Sequence, residues 1–335
     1  MKQKITGIII MLLALTPEIF GSIDNDTPRI TISGEITDRQ SGEALIGATI
    51  YIEKLQSGTV TNTYGFYSIS IEPGEYTLTY SFIGYETVKK SLQIKQNRTI
   101  DVELSPQQQL LQEVVVESTR KNANVSKNEM SVTRMDTKTI KKIPAMMGET
   151  DLIKAIQLLP GVQFASEGSS GFSVRGGSPD QNLILLDEAT VYNASHLMGF
   201  FSVFNNDAIK NTKLYKGNIP ASAGGRLSSL LDIRMKEGND KTFSGSGGIG
   251  AVSSRLTLEG PLLKDKASFL LSGRRSYADL FMALSEDENI NNSTLYFYDL
   301  NGKVNYKIDD NNRLFVSAYY GKDVFKNPDL TDGLG

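Results

Sequence analysis

The chain has 335 residues, more than one hydrophobic core usually supports, so we expect two or three structural units. Hydrophobic residues make up 39% and charged residues 22% of the chain, and 30 glycines accompany only 10 prolines. This composition is typical of a globular, β-rich chain and argues against general disorder. The formal net charge of −3 argues against a broad basic surface, so nucleic acid is not an expected partner.

Residues 1–22 have the pattern of a secretory signal peptide. Lys2 and Lys4 precede an apolar run over residues 8–15, and small residues follow at positions 21 and 22. The apolar run is shorter than the roughly 20 residues that a membrane-spanning helix needs. We therefore predict an export signal that is absent from the mature protein. The chain holds no cysteine, so it offers no disulfide, lipid-anchored cysteine or thiolate metal site.

Residues 28–105 are predicted to form a seven-strand β-sandwich. Apolar and polar residues alternate there in short runs that end at glycine-containing turns, as strands with one buried face require. In the run from Tyr76 to Phe82 the alternation continues without a break. The predicted strands are Ile30–Ile36, Ala48–Ile52, Thr59–Thr61, Phe66–Ile71, Tyr76–Phe82, Thr87–Ile94 and Thr99–Leu104.

Three motifs in this region resemble the carboxypeptidase regulatory-like domain. Residues 32–38 read ISGEITD, residues 43–50 read EALIGATI and residues 62–67 read NTYGFY. The resemblance implies a domain that commonly leads outer-membrane transporters of Bacteroidetes. Its name also suggests a zinc peptidase, but the chain has a single histidine, His196, and a zincin needs at least two.

Residues 106–127 are predicted to be a polar linker that carries one strand-forming segment. Glu113, Val114, Val115 and Val116 form an extended, β-branched stretch that could add to the exposed sheet edge of a partner. The segment resembles a TonB box, which implies the C-terminal domain of TonB, in the TonB-ExbB-ExbD complex, as the partner. The alternative is that the three valines form an eighth strand of the sandwich.

Residues 128–238 are predicted to form a mixed α+β unit with glycine-rich joints. Thr150 is the expected N-cap of an amphipathic helix that ends at Pro160. A second short helix is expected to open over residues 206–209. The predicted strands are Leu183–Leu186, Lys213–Lys216 and Leu230–Met235.

The order of the motifs in this unit resembles the plug of TonB-dependent receptors. Residues 171–177 read GFSVRGG and residues 220–227 read PASAGGRL. The resemblance implies that Arg175 forms a buried ion pair with barrel carboxylates, because an unpaired buried guanidinium is costly. Arg226 is either a second such residue or part of a solvated turn. The residues assigned to the plug motifs are Gly176, Gly177, Asp187, Gly224 and Gly225.

Residues 239–335 are predicted to be the first strands of a transmembrane antiparallel β-barrel, without helix. Between Tyr296 and Asp309 one set of alternate positions is mostly apolar and the other is polar or charged. One face therefore suits lipid and the other suits a wet lumen. The other predicted strands are Phe243–Leu258 and Lys266–Tyr277, separated at Gly260–Pro261, and Arg313–Tyr320.

Barrels of the family that the chain resembles have about 22 strands. Four are predicted here, so we expect an incomplete barrel that does not transport by itself, because open sheet edges are not stable in lipid.

Residues 245–250 match the spacing of a dinucleotide-binding fingerprint, but the wrong element follows. That fingerprint needs a helix directly after it to hold a pyrophosphate, and we predict that residues 251–258 continue as a strand. His196 has no acid or nucleophile beside it in the sequence that would indicate catalysis. We therefore predict no enzyme, no cofactor and no metal site.

Taken together, the sequence predicts a mainly β protein of the cell outer membrane, with the plug and the N-terminal domain facing the periplasm. The family resemblance implies TonB-dependent import of a siderophore, cobalamin, glycan or peptide, with outer-membrane lipid around the barrel. Glycan importers that work with a surface lipoprotein carry a valine box longer than that of residues 114–116. The sequence therefore leaves open whether a surface lipoprotein is a partner. The alternative is a secreted β-sandwich module for binding or adhesion, without energy coupling.

Overall fold

The computed structural model describes residues 29–107, 131–140, 143, 149–164, 171–287, 291–310 and 312–326. The fold is mainly β, as predicted, and it divides into two compact units. One unit contains residues 30–36 and 44–104, and the other contains residues 37–43 and the described residues after 104. The predicted signal peptide and most of the predicted linker lie outside the described residues. No helix among the described residues is long and apolar enough to cross a membrane.

The N-terminal unit is a sandwich of two sheets, which confirms the predicted fold. One sheet has the order β3-β2-β5-β6, and the other has β4, β1 and β7 in line with β8 also paired to β1. The strands are β1 (Ile30–Asp38), β2 (Thr49–Ile52), β3 (Ser57–Val60), β4 (Phe66–Ile71), β5 (Gly74–Ser81), β6 (Val88–Ile94), β7 (Arg98–Thr99) and β8 (Val102–Leu104), and a 3-10 turn spans Glu53–Leu55. Alternate residues of β1 and β5 are buried between the sheets, as period-two strands require.

The last predicted strand of the sandwich, from Thr99 to Leu104, is divided into β7 and β8. The amide of Ile100 donates to the carbonyl of Ser33, and the side chain of Asp101 accepts the amide of Glu35 at 2.8 Å. A carboxylate thus replaces a backbone acceptor at this point and interrupts the ladder. A Cβ atom on Gly34 would overlap the carbonyl of Ile100, so only glycine permits this close approach.

The central domain (residues 131–238) is an α+β unit built on a sheet of order β13-β12-β17-β16-β9. β12 and β17 are parallel, and the other pairs of the sheet are antiparallel. The elements are β9 (Val132–Asp136), α1 (Thr137–Ile140), α2 (Leu152–Gln157), β10 (Val162–Phe164), β11 (Phe172–Val174), β12 (Asn182–Leu186), β13 (Ala189–Thr190), β14 (Ser195–His196), β15 (Phe201–Ser202), β16 (Ile209–Tyr215) and β17 (Ser229–Met235), with 3-10 turns at Pro179–Gln181 and Leu197–Gly199. Both faces of the sheet are covered, because β16 and β17 are buried along most of their length.

Two local predictions for the central domain are wrong. Asp151, not Thr150, caps α2, because its Oδ1 accepts the amides of Ile153 and Lys154. Residues 206–208 form a turn that enters β16 directly, rather than a second helix. The side chain of Asn205 stabilises this turn by accepting the amide of residue 207 at 3.0 Å, which competes with helix formation.

The C-terminal meander (residues 244–326) is a five-stranded antiparallel sheet of order β18-β19-β20-β21-β22. Its strands are β18 (Ser244–Ile249), β19 (Ser253–Leu263), β20 (Ala267–Ser276), β21 (Thr294–Lys307) and β22 (Arg313–Lys326), and α3 (Ala278–Met282) follows β20. The predicted alternation in β21 is confirmed, because Asp299, Asn301, Lys303 and Asn305 are buried while Leu300 and Val304 are exposed. The buried polar face of β21 lies toward the central domain.

The strand boundaries at the start of the meander differ from those predicted. The glycine-rich residues 244–249 form a separate strand, β18, and a hairpin leads from it into β19. Gly260 and Pro261 lie within β19, where a bulge after Pro261 accommodates a residue that cannot donate to the ladder. The turn comes later, at residues 264–266, where Asp265 has a φ of 59°. The short helix α3 was also not predicted.

Candidate functional site

The central domain and the meander meet through buried charged side chains and through a small apolar cluster that includes Phe201 and Phe297. The largest group of contacts surrounds Arg274, which β20 directs toward the central domain. Its side chain is 1% exposed. A fully buried guanidinium requires carboxylate partners, because the cost of removing its charge from water is high.

Two carboxylates from different parts of the chain neutralise Arg274. Nη1 donates to Glu149 of the central domain at 2.6 Å, and Nε donates to Asp299 of β21 at 2.7 Å. Nη2 donates to the backbone carbonyl of Ser202 at 2.6 Å. The hydroxyl of Ser253 in β19 donates to the second oxygen of Glu149, also at 2.6 Å. The cluster therefore ties a loop and a strand of the central domain to three strands of the meander.

His196 extends this cluster on the other side of Asp299. Its Nε2 lies 2.5 Å from Oδ1 of Asp299, and its Nδ1 lies 2.8 Å from Oδ1 of Asp323 in β22. The imidazole stacks on the ring of Phe297 with 4.4 Å between ring centroids and 8° between planes. The hydroxyl of Tyr319 donates to the same oxygen of Asp299 at 2.9 Å.

Asp187 forms a second charged contact with the meander. Its Oδ2 lies 2.9 Å from the ammonium of Lys303 and accepts the hydroxyl of Ser317 at 2.6 Å. Its Oδ1 accepts the amide of Met235 at 2.9 Å, which fixes the turn after β12 against the end of β17. Asp187 has a φ of 46°, a conformation that aspartate tolerates better than most residues.

A third contact joins the turn before β16 to β19 and β20. Arg255 in β19 donates from Nε to Asp207 at 2.6 Å, and the Asp207 side chain is 5% exposed. Beside it, the side-chain Nδ2 of Asn205 donates to the hydroxyl of Ser272 at 2.8 Å. The turn that replaces the predicted helix thus carries two of the side chains that dock the central domain.

These contacts make a seam of paired charges, which lies beside the apolar cluster of Leu197, Phe201 and Phe297. Ion pairs and hydrogen bonds can exchange their partners for water, whereas large apolar surfaces resist separation. The paired charges of the seam fix the position of the central domain against the meander.

Arg175 does not occupy the predicted buried position among the described residues. It has a φ of 50° at the end of β11, is exposed, and donates from Nη2 to the hydroxyl of Ser131 at 3.1 Å. The left-handed turn directs its side chain along the surface, where its guanidinium lies over Gly217. The buried arginine at the seam is Arg274, so β20 of the meander supplies the cation and the central domain supplies the carboxylate of Glu149.

Arg226 lies in an exposed turn, which agrees with the solvated-turn alternative for this residue. Its charge acts on Asp180, but the main cause of the lowered pKa of Asp180 is the hydrogen bond from Ser178. The preceding glycines, Gly224 and Gly225, are also exposed, and Gly225 has a φ of 99°. This part of the motif shapes a loop and does not dock the meander.

The glycines after Arg175 have distinct local roles. Gly176 has a φ of 83°, which a residue with a side chain rarely adopts. A Cβ atom on Gly177 would overlap the side chain of Ser228, whose hydroxyl donates to the carbonyl of Val174 at 2.8 Å. These glycines therefore allow the turn after β11 to pack closely on the start of β17.

The predicted TonB-binding residues Glu113, Val114, Val115 and Val116 lie outside the described residues. The sequence also missed several residues of the seam. Asp299 and Lys303 lie on the predicted inward face of β21, so their pattern carried a signal. Glu149 lies outside the strands and helices of the central domain and His196 lies in the two-residue strand β14, so neither has a periodic pattern around it and no sequence signal marked them.

Comparisons with known proteins identify both structural units. The family model of the CarboxypepD_reg-like domain matches residues 32–116, and that of the TonB-dependent Receptor Plug Domain matches residues 124–228. The first match includes the three valines of the predicted TonB box.

Two relatives share sequence with longer parts of the chain. The TonB-dependent receptor P39 of Formosa agariphila is 33% identical over 122 residues, which cover 35% of this chain and 11% of that protein. The TonB-dependent receptor SusC of Bacteroides thetaiotaomicron is 28% identical over 247 residues, which cover 69% of this chain and 23% of that protein. The chain therefore spans less than a quarter of the length of either relative.

Solved structures with a similar arrangement include the siderophore receptor PirA of Acinetobacter baumannii. It has a TM-score of 0.44 and 17% identity, covering 59% of this chain and 32% of that chain. The outer membrane transporter YddB of Escherichia coli has a TM-score of 0.43 and 15% identity, covering 58% of this chain and 33% of that chain.

Proposed function

We propose that this chain is part of a TonB-dependent receptor and that the full-length protein actively imports a nutrient across the outer membrane. The observation that carries the proposal is the plug-domain match over residues 124–228, in the region that docks on the meander. In this proposal the central domain is the plug and the meander is the first part of the barrel wall.

The chemistry of the meander supports its assignment to a barrel wall. In β21 and β22, outward residues such as Leu300, Leu314 and Val316 are exposed and apolar, which suits contact with lipid. Most inward residues of β21 are polar, and Asp299 and Lys303 among them contact the central domain. We place the short connections at residues 264–266 and 308–312 in the periplasm, and the longer segment from 277 to 293 outside the cell. The N-terminal sandwich then faces the periplasm.

Energy coupling is proposed to begin at residues 113–116. The C-terminal domain of TonB would add this segment to a sheet edge, with main-chain hydrogen bonds providing affinity and little dependence on side chains. Tension from TonB-ExbB-ExbD would then displace part of the central domain from the meander. The charged seam suits this role, because water can replace each broken contact. No nucleotide or other cofactor enters the proposal.

The substrate is proposed to be a scarce small nutrient, with siderophores, cobalamin, glycans and peptides as the classes to be assayed. A surface lipoprotein would be a partner if the substrate is a glycan.

The competing assignment for residues 114–116 is a further strand of the sandwich, and the family match through residue 116 supports that alternative. The two assignments predict different results when the segment is removed.

Deleting residues 111–117 from the full-length gene tests energy coupling. We expect the deletion strain to lose uptake to the same extent as a strain without the gene, because tension no longer reaches the plug. Growth with ferric siderophore, cobalamin, glycan or peptide as the limiting nutrient measures uptake, and substrate binding to whole cells measures what remains at the surface. Binding should be retained.

A deletion of residues 121–127, equal in length, is the matched control and should keep uptake. If the 111–117 deletion keeps normal uptake, the TonB box is assigned wrongly. If the strain without the gene takes up every tested nutrient normally but loses surface binding, the secreted binding module becomes the better account. Loss of the folded protein in the deletion alone would favour the strand assignment.

A further inference from the structure

We propose that His196 is held as an imidazolium and acts as a latch between the central domain and two strands of the meander. His196 is the single histidine of the chain and is 3% exposed. It faces Asp299 on β21 and Asp323 on β22, as described above. Neither the family matches nor the plug motifs assign a role to it.

The hydrogen-bond geometry favours one protonation state. An ionised carboxylate only accepts hydrogen bonds, and a neutral imidazole carries a single N–H. Both ring nitrogens of His196 lie within hydrogen-bond distance of a carboxylate oxygen, at 2.5 and 2.8 Å. Both contacts are satisfied only when both nitrogens carry a proton.

The balance of charge favours the same state. Glu149 and Asp299 pair with the guanidinium of Arg274, and Asp323 pairs with His196, so the group holds three carboxylates and one guanidinium when His196 is neutral. The oxygens of Asp299 already accept hydrogen bonds from Arg274 and from the hydroxyl of Tyr319, which favours its ionised form. Protonation of His196 therefore reduces the excess charge without removing a hydrogen bond.

The latched segment is short and lies where the central domain contacts three strands. β14 and β15 pair with each other across His196 and Phe201, and the carbonyl of Ser202 accepts from Arg274. Leu197, directly after the histidine, is buried with a φ of 48°, which is unfavourable for a branched residue without strong surrounding constraints. The paired imidazolium supplies such a constraint. If the proposed transport is correct, this latch must open when the plug is displaced.

The protonation state can be measured in the full-length receptor labelled with ¹⁵N-histidine and purified in detergent. We expect both ring nitrogens of His196 to resonate as protonated nitrogens. The spectrum of His196→Gln, by subtraction, assigns the signals. A neutral imidazole in the native protein under these conditions would overturn the proposal.

Asp323→Asn provides the matched variant, because the Asp323 side chain is 42% exposed and its replacement preserves the shape of the site. We expect one ring nitrogen to lose its proton, since Asn offers only a neutral partner. Hydrogen exchange of residues 195–203 should be roughly tenfold faster in His196→Gln and less so in Asp323→Asn. Tyr192→Ala, at an 87% exposed position of the same loop, should change neither readout. Unchanged exchange in both site variants would refute the latch, whatever the transport assays show.

Discussion

Arg274 and Arg275 are adjacent in β20, yet they occupy opposite environments. Successive side chains of a strand point to opposite faces, so Arg274 enters the seam with the central domain while Arg275 faces outward. The Arg274 side chain is 1% exposed and the Arg275 side chain is 51% exposed. Arg275 pairs with Asp279 four residues later, a local contact of the kind that contributes little in solvent. The two adjacent arginines are thus expected to contribute very differently to the free energy of unfolding.

Replacing Arg274 with Gln should strongly destabilise the docked central domain. Glu149 and Asp299 would keep their buried charges without the guanidinium, and breaking such a pair costs about 3–5 kcal/mol. Chemical denaturation of the purified full-length receptor measures the change in the free energy of unfolding. The same substitution at Arg275 is the control and should cost about 0.5 kcal/mol or less. Equal effects at both positions would show that the seam does not depend on the buried cluster.

Helix α2 shows how one side chain can order two elements. Asp151 caps the helix with one carboxylate oxygen, and its other oxygen accepts the amide of Ser202 in β15 at 2.7 Å. The cap satisfies two N–H groups that lack a partner within the helix. The second contact attaches the helix to the segment that carries His196. Thr150, the cap expected from the sequence, instead accepts the side-chain amide of Asn206.

Replacing Asp151 with Ala should therefore cost more than the loss of a cap alone. We expect about 2 kcal/mol, from the lost cap and the amide of Ser202 left without its partner. Hydrogen exchange of the amides of Ile153, Lys154 and Ser202 in the full-length receptor reports both losses. Thr150→Ala is the control, since the carbonyl of Thr150 still accepts from Asn206 at 2.6 Å. Faster exchange in the Thr150 variant than in the Asp151 variant would contradict this assignment of the cap.

At the scale of the molecule, the sandwich and the larger unit have separate hydrophobic cores. The sandwich core is drawn from residues 30–104, and Tyr67 and Tyr80 are neighbours among its buried tyrosines. Their hydroxyls lie 3.1 Å apart, and Tyr67 donates to the carbonyl of Ile100 at 2.8 Å. Burial is the main cause that raises the pKa of both tyrosines above the usual value. A domain with its own core is expected to fold by itself.

We predict that residues 29–107, expressed alone, fold cooperatively and lose stability above about pH 10. The unfolded chain ionises its tyrosines there, whereas the folded core keeps Tyr67 and Tyr80 neutral, so the free energy of unfolding falls as pH rises. The slope approaches about 1.4 kcal/mol per pH unit for each buried tyrosine. Urea denaturation at increasing pH measures this decline.

The double variant Tyr67→Phe and Tyr80→Phe should remove most of the alkaline decline while lowering stability at neutral pH, because a hydrogen bond to Ile100 is lost. Tyr64→Phe, at a 41% exposed position, should leave the decline unchanged. A decline that persists in the double variant would mean that other groups cause it. A fragment that does not fold would contradict the independence of the sandwich.

Much of the fold was predictable because period-two patterns report burial directly. The alternation in β5 and β21 identified the buried face of each strand correctly. Boundaries were less predictable where a side chain replaced a backbone partner. Asp101 divides the last sandwich strand, Asp151 moves the cap of α2, and Asn205 converts an expected helix into a turn. Each of these side chains competes with the backbone for local hydrogen bonds. Whether it forms them depends on neighbouring residues that the sequence pattern does not show. The domain boundaries and the TonB box remain predictions.

The sequence by itself indicated the resemblance to the sandwich and plug domains, the mainly β character and the polar inward face of β21, because motifs and periodicity are local properties. Only the tertiary structure decided which charges meet. Glu149, His196, Arg274 and Asp323 lie far apart in the chain. Which of them pair is therefore visible only in the folded structure, where they are brought together away from water. The motif therefore indicated Arg175, which lies on the surface among the described residues, and gave no indication of Arg274, which is buried in the middle of the seam.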